Sequence, residues 1–383
     1  MANLNENDRQ ALPVSFAAID PYVETHIVTP REKTTPSRDW VEWGDRNRYP
    51  DFLLGLSKDS PTLRSVIMGT VDFIVGDDIT IAPLPDAGYR AGVMNPKGTT
   101  IREQVRTLAF DRELFGGFAL QAVRNAAGKV VAIYHVPMQY LRSNKENTVF
   151  YYSEKWNKGG LAKVLEYPKY MDISPERWQT LTDEERERNY NTILFVKNDH
   201  TQTYPLPDFC AAVKDCLCEV CISDYHLNSI NNGFSGSLLV NFNDGKPSDE
   251  IRKEIERMFN EKFSGHQNAG RIIFSWNSNK DKQPTLRELK VEDFGEKYKA
   301  LALSSRQHIF TAFRATPIIF GIPTDNNGFS NDDYDGAFRL YNRTTVRPAQ
   351  QSIIEAYERL YGQTGIISIT PFSLAGETEQ KVQ

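Results

Sequence analysis

Apolar residues recur at helical spacing over several long stretches of the chain and alternate with polar ones over several short ones. In SPTLRSVIMGTVDFIVGDD, the residues Leu63, Val66, Ile67, Val71 and Ile74 share one helical face. Ser60 is placed to cap that helix, Pro61 suits its first turn and Gly76 its stop. A second helix is predicted over about Thr100 to Leu114. The segment that follows, GGFALQAVRNAAGKVVAIYHV, alternates around Ala126-Ala127-Gly128 and reads as a β-hairpin. NTVFYYS and NTILFVKN add strands. The first 60 residues, with the aromatic stretch DWVEWGDRNRYPDFLLGL, read as irregular. Residues 1–205 thus form one α+β module.

From Leu206 the texture changes. Pro205 and Pro207 precede a long helix that runs from Phe209 to about Asn232 without Gly or Pro and ends at NNGFSGS. A small β/α unit follows. It consists of strand SLLVNFN, a helix between Ser248 and Gly265, strand RIIFSWN and strand TLRELKV. In its helix Ile251, Ile255, Met258, Phe259 and Phe263 share one face. A second long helix spans about Val291 to Phe313, and a connector, ATPIIFGIPTDNNGFSN, leads into a third helix beginning SNDDYDG. Pro348 lies inside that third helix, where it deletes a backbone hydrogen bond and predicts a kink. The tail holds one strand, GIISIT, and no internal repeat is found.

Composition narrows the classes. The chain has 383 residues, 40% of them hydrophobic and 25% charged, as in an ordinary globular protein. A formal charge of -5 gives no overall basic footprint for tight nucleic-acid binding. The first residues, MANLNENDRQALP, lack the pattern of a signal peptide, and no apolar run reaches the roughly 20 residues that cross a bilayer. A soluble intracellular product without a membrane partner is expected.

Candidate chemistry is sparse. All 4 cysteines, Cys210, Cys216, Cys218 and Cys221, fall in one helical segment. On a helix Cys210 and Cys221 lie about 16 Å apart along the axis, and Cys216 points away from the others, so one tetrahedral site cannot collect all of them. Helix packing is the simpler use of these residues. No phosphate-binding loop, dinucleotide fingerprint, zinc-protease motif or nucleophile elbow occurs. The 6 histidines are scattered. Asp77-Asp78 follows a helix stop and Asp332-Asp333 opens a helix, so both pairs have structural explanations. No cofactor and no metal site are expected, and nothing asks for an enzyme. A cysteine-centred or metal-dependent hydrolase is the alternative.

Several stretches, in order, carry a family resemblance. They are WGDRNRYP (Trp43 to Pro50), the helix ending FIVGD, SINNGFSGSLLVNF, EKFSGHQNAGRIIF, and SSRQHIFTAFRATPIIFGIPTDNNGFSNDDYDGAFRLYNRTTVRPAQQSIIEAYERL. Across about residues 40–361 the chain resembles the portal proteins of tailed double-stranded DNA bacteriophages, nearest to the HK97-like branch. The last stretch is similar to that family's stem helix, Val-Pro-Pro-like loop and Thr-x-x-Pro helix. The resemblance implies an elongated α+β subunit of a ring, usually of twelve copies, at one capsid vertex of the virion. DNA would pass through that ring, independent of sequence, in packaging and ejection. Its partners would be the terminase large subunit, a head-tail adaptor, and the major capsid or scaffolding protein. The parts carried over are a wing (1–205), a stem helix (206–232), a clip (233–290) and a second stem helix (291–315). A tunnel loop (316–331) and a kinked wing helix with tail (332–383) complete the set, with a crown absent or vestigial.

Within that frame Pro317, Ile318, Ile319, Phe320 and Pro323 would anchor the loop. Asp325, Asn326, Asn327, Gly328 and Phe329 would form its tip at the DNA channel. The plainer reading is that IIFGIP is core beneath a loop. Arg339, Arg343 and Arg347, spaced four apart on a helix, would meet either acids of a neighbouring subunit or DNA.

Overall fold

The computed structural model describes residues 27–36, 38–156, 163–199, 202–231, 237–242, 272–276, 286–289, 295–322 and 331–372, together with a few positions between 248 and 257. The chain divides into two units, His26–Glu219 with Ser304–Gln383, and Val220–Leu303 with Met1–Thr25.

The larger unit is built around three helices, α1 (Tyr49–Asp59), α2 (Pro61–Val75) and α3 (Ile101–Phe115), which pack on one another. The five apolar residues expected on one face of α2 are all fully buried. Its ends follow local rules. Ser60 Oγ accepts from the Leu63 amide, Pro61 opens the first turn, and Gly76 ends the helix at φ 64°. A Cβ at Gly76 would stand 2.1 Å from the Thr370 carbonyl oxygen, so the C-terminal strand passes there only because the residue is glycine. Thr100 and Glu103 form a complete capping box at the start of α3. The aromatic stretch read as irregular is a correction. Tyr49 to Asp59 is helical, with Tyr49, Leu53 and Leu56 buried at i, i+4 and i+7 and Pro50 in the first turn.

Strands β1 (Glu32–Thr34) and β2 (Val41–Trp43) form an antiparallel pair, and β3 (Asp78–Ile81) follows α2. The predicted hairpin is β4 (Gly117–Arg124) with β5 (Val130–Val136). Strands β6 (Leu141–Ser143), β7 (Val149–Tyr152) and β8 (Leu165–Pro168) make an antiparallel sheet. Two short helices, α4 (Pro175–Thr180) and α5 (Asp183–Asn189), lead to β9 (Asn191–Lys197), which pairs with the other edge of β4. Arg142, in β6, is buried. Its guanidinium donates to Asn47 Oδ1 at 2.8 Å, to the Asn47 carbonyl at 2.9 Å and to the Leu141 carbonyl at 2.7 Å. Those bonds fix the WGDRNRYP turn, where Arg46 and Asn47 both take positive φ.

Helix α6 (Val213–Asn231) leaves the larger unit, and α7 (Gly295–Ala312) returns to it. At their base within this unit, the Phe209 and Phe313 rings stack at 5.3 Å and Asp215 meets His308 Nδ1 at 2.9 Å. Helix α8 (Asn331–Tyr341) runs through a π-helical turn, Asn342–Val346, into α9 (Arg347–Tyr361). Strand β13 (Ile367–Thr370) closes the unit, antiparallel to β3.

In the smaller unit β10 (Ser237–Phe242) lies between β11 (Ile272–Trp276), parallel to it, and β12 (Leu286–Leu289), antiparallel. Tyr225 of α6 lies 4.7 Å from Tyr298 of α7, ring to ring. Ile251, expected on a packed helix face, is exposed, while Ile255, Met258, Phe259 and Phe263 lie outside the described residues.

Glu113, near the end of α3, is buried beside Arg112. Burial pushes its carboxyl above the usual range and Asp208 adds to the rise, while Arg112 pulls the other way. The folded chain therefore holds this proton more tightly than the unfolded chain does. The favourable contribution is full below the ordinary carboxyl pKa and is lost as pH climbs through the raised value. Glu113→Gln should accordingly melt progressively higher relative to wild type as pH rises above the ordinary carboxyl range. Parallel melting curves at every pH would contradict it.

Candidate functional site

The apolar knot of the connector begins where α7 ends. Arg314 takes φ 53°, and the Ala315 amide reaches back 2.9 Å to the Phe310 carbonyl, a left-handed helix stop made without glycine. Pro317–Phe320 then form one 3₁₀ turn, closed by the Ile322 amide donating to the Pro317 carbonyl at 3.1 Å. Ile319 is buried; Pro317, Ile318 and Phe320 are half-buried.

Phe320 is the element that ties this turn to the fold. Its ring lies 6.0 Å from that of Phe310 on α7, 5.9 Å from Phe73 on α2 and 6.1 Å from Tyr341 at the end of α8. The ring rests on the backbone of α2 at Gly69, where an added Cβ would stand 2.5 Å from it. Glycine in a helix interior costs about 0.5–1 kcal/mol relative to alanine, and the space for Phe320 is what that cost secures. At the next residue, Thr70 Oγ1 and the Tyr341 hydroxyl meet at 2.7 Å. The connector's opening turn and the far end of α8 are thus both fastened to α2. Pro323 and the tip residues Asp325, Asn326, Asn327, Gly328 and Phe329 lie outside the described residues.

Arg339, Arg343 and Arg347 are all exposed. Arg339 Nε donates to the Asp335 carbonyl, four residues back, at 3.3 Å. Arg343 and Arg347 make no hydrogen bond or ion pair among the described residues. The irregularity expected at Pro348 takes the form of the π-helical turn just ahead of it, with the Arg347 amide bonded to the Asn342 carbonyl. Proline has no amide to continue the α ladder, and the wider turn bridges the gap.

The cysteines do not converge. Cys210 and Cys221 are exposed, Cys218 is half-buried and Cys216 is buried. Burial, assisted by the Glu219 charge, pushes the Cys216 thiol up to about 12, and burial also raises Cys210. Neither of these two has the lowered pKa of an activated thiol. Among the described residues no group of three potential metal ligands occurs, and no helix is long and apolar enough to cross a membrane.

The seat of Phe320 was not legible in the sequence, where Gly69 reads only as a weak point in a helix. Gly69→Ala should destabilise the chain in denaturant titration, the reverse of the usual helix effect. In a Phe320→Ala background the same change should recover the ordinary gain of about 0.5–1 kcal/mol. Equal effects in the two backgrounds would refute the seat.

No protein-family model matches the chain, and no curated protein matches it. Solved structures do. A chain from the neck of a native gene transfer agent particle, computed with twelve-fold symmetry, aligns over 90% of this chain and 86% of its own, at 17% identity and TM-score 0.51. A chain from the neck of the empty particle, computed with six-fold symmetry, aligns over 91% and 87%, at 16% identity and TM-score 0.53. An HK97 family phage portal protein from Corynebacterium diphtheriae aligns over 83% and 93%, at 12% identity and TM-score 0.48. Over nine-tenths of its length, then, this chain has the α+β fold of a gene transfer agent neck subunit.

Proposed function

We propose that the chain is a portal-type subunit of a phage-like particle. Copies form a ring around an axial hole through which double-stranded DNA is packaged and ejected, and the subunit carries out no catalysis of its own. The observation that carries this reading is the apolar flank of the two long helices. Tyr225 is 37% and Leu227 57% exposed on α6, and Leu301 is 44% and Leu303 39% exposed on α7. Helices that leave such residues in water gain stability when a neighbour covers them. The shared fold supports the reading, because chains of that fold come from particle necks solved with twelve-fold and six-fold symmetry.

In this reading the fastened turn at Pro317–Phe320 holds the tip, Asp325 to Phe329, toward the channel. A tip without Lys or Arg suits a conduit, since each phosphate contact adds salt-dependent affinity that resists sliding. The small β/α unit would meet the terminase large subunit during packaging and a head-tail adaptor afterwards. The major capsid or scaffolding protein would surround the ring at the capsid vertex.

Negative-stain imaging and native mass spectrometry of the purified chain test the reading. Wild type should form rings with a central hole, near twelve copies. Leu227→Ser with Leu301→Ser should shift the population toward monomers by about tenfold or more, given roughly 25 cal/mol per Å² of apolar surface left uncovered. A wild-type chain that stays monomeric at high concentration would end the proposal.

A further inference from the structure

The turn between β6 and β7 meets the end of β9 through an asparagine and a lysine. Lys197 Nζ donates to Asn147 Oδ1 at 3.0 Å, to the Gln202 carbonyl at 2.6 Å and to the Thr203 carbonyl at 3.3 Å. Both residues are half-buried. Asn147 is held from several sides. It takes φ 52°, and its backbone amide donates to the Asn144 carbonyl at 3.1 Å. Its Nδ2 donates to Ser143 Oγ at 2.9 Å and to the Thr203 carbonyl at 3.2 Å. Asparagine and aspartate both tolerate that backbone. An aspartate there would give Lys197 an ion pair; the carboxamide gives it none.

The surroundings favour an uncharged amine. Burial pushes the Lys197 pKa below the ordinary lysine range and Lys169 acts in the same direction, while Glu32 and Asp199 pull it back up. A lysine that yields its proton more readily presents a lone pair, and the nitrogen becomes a nucleophile. Glu32, in β1, acts on it most strongly of these three charges. Its Oε1 accepts from the Tyr204 amide at 2.7 Å. One peptide unit therefore holds Lys197 and Asn147 on its carbonyl, that of Thr203, and Glu32 on its amide, that of Tyr204.

We propose that Lys197 and Asn147 join through an isopeptide bond within one chain, with Glu32 as the proton carrier. The Nζ lone pair attacks Asn147 Cγ, one bond beyond the oxygen that Nζ already touches, and the carbonyl electrons move onto Oδ1. As they return, the Cγ–Nδ2 bond breaks. The proton lost from Nζ passes through Glu32 to Nδ2, which leaves as ammonia. An amine and a carboxamide thus become a secondary amide and ammonia, and no oxidant or activated donor is needed. Fixing both reactants in one site supplies the proximity that such a slow reaction requires. The link joins positions 50 residues apart and closes a loop containing β7, β8, α4, α5 and β9. It ties the β6–β8 sheet to the strand beside β4. None of the 4 cysteines lies in that loop, so no disulfide can serve there.

The test is the intact mass of the full-length chain under denaturing conditions. Wild type should weigh less than its sequence by one ammonia, about 17 Da, and proteolysis should release a branched peptide carrying both Asn147 and Lys197. Lys197→Arg keeps the charge but removes the amine, and should show the full sequence mass. Glu32→Gln should leave the link largely unformed. A wild-type chain at its full sequence mass overturns the inference. So does an ammonia loss that persists in Lys197→Arg, because an asparagine cyclising on its own backbone loses the same mass. If Lys197→Arg fails to fold, the presence or absence of the wild-type branched peptide decides. A Glu32→Gln chain linked as completely as wild type overturns the part assigned to Glu32.

Discussion

The face of α2 that carries Gly69, Thr70 and Phe73 is the surface on which the C-terminal third of the chain is assembled. The Phe73 ring lies within 6.4 Å of four others, Phe320, Phe338, Tyr341 and Phe372, which come from the connector, from α8 and from the end of the C-terminal strand. Aromatic pairs of this kind add about 0.5–1.5 kcal/mol each beyond the area they bury. Helix α2 is buried along most of its length, so it cannot yield to one neighbour without disturbing the rest. An apolar sequence on a connector follows from this. IIFGIP begins with the turn by which the connector is fastened to a helix buried along most of its length.

What the sequence disclosed and what it withheld divide by range. The caps of α2 and α3 and the hairpin β4–β5 rest on contacts a few residues apart, and spacing alone exposed them. Helix α1 carried the same kind of signal in Tyr49, Leu53 and Leu56. The prolines and aromatic residues around it masked a stripe only three positions long. The reason for Gly69 lies some 250 residues away at Phe320, and the buried Arg142 is explained only by the carbonyls around Asn47 and Leu141. Pro348 announced an irregular helix, but its form as a π turn depends on burying Thr345 and Val346 while leaving Arg343 and Arg347 outside. No local pattern encodes that choice.

The two long helices illustrate how bond type follows from when a contact is made. At the base of α6, Glu219 accepts from Ser60 Oγ and Thr62 Oγ1 at 2.5 Å each and from the Thr62 amide at 3.2 Å. That carboxylate sits at the positive end of α2, where a negative charge is stabilised, and it satisfies an amide the helix cannot pair internally. Such bonds are directional and costly to leave unmade in a buried setting, so they suit a junction formed once, during folding.

Farther along, where the same helices belong to the smaller unit, the exposed side chains are Tyr225, Leu227, Leu301 and Leu303. An unmet apolar side chain costs its hydration but leaves no orphaned donor or acceptor, so a subunit survives with it exposed until a partner arrives. Polar fastening at the base and apolar flanks beyond it is therefore the distribution that the proposed ring of subunits calls for.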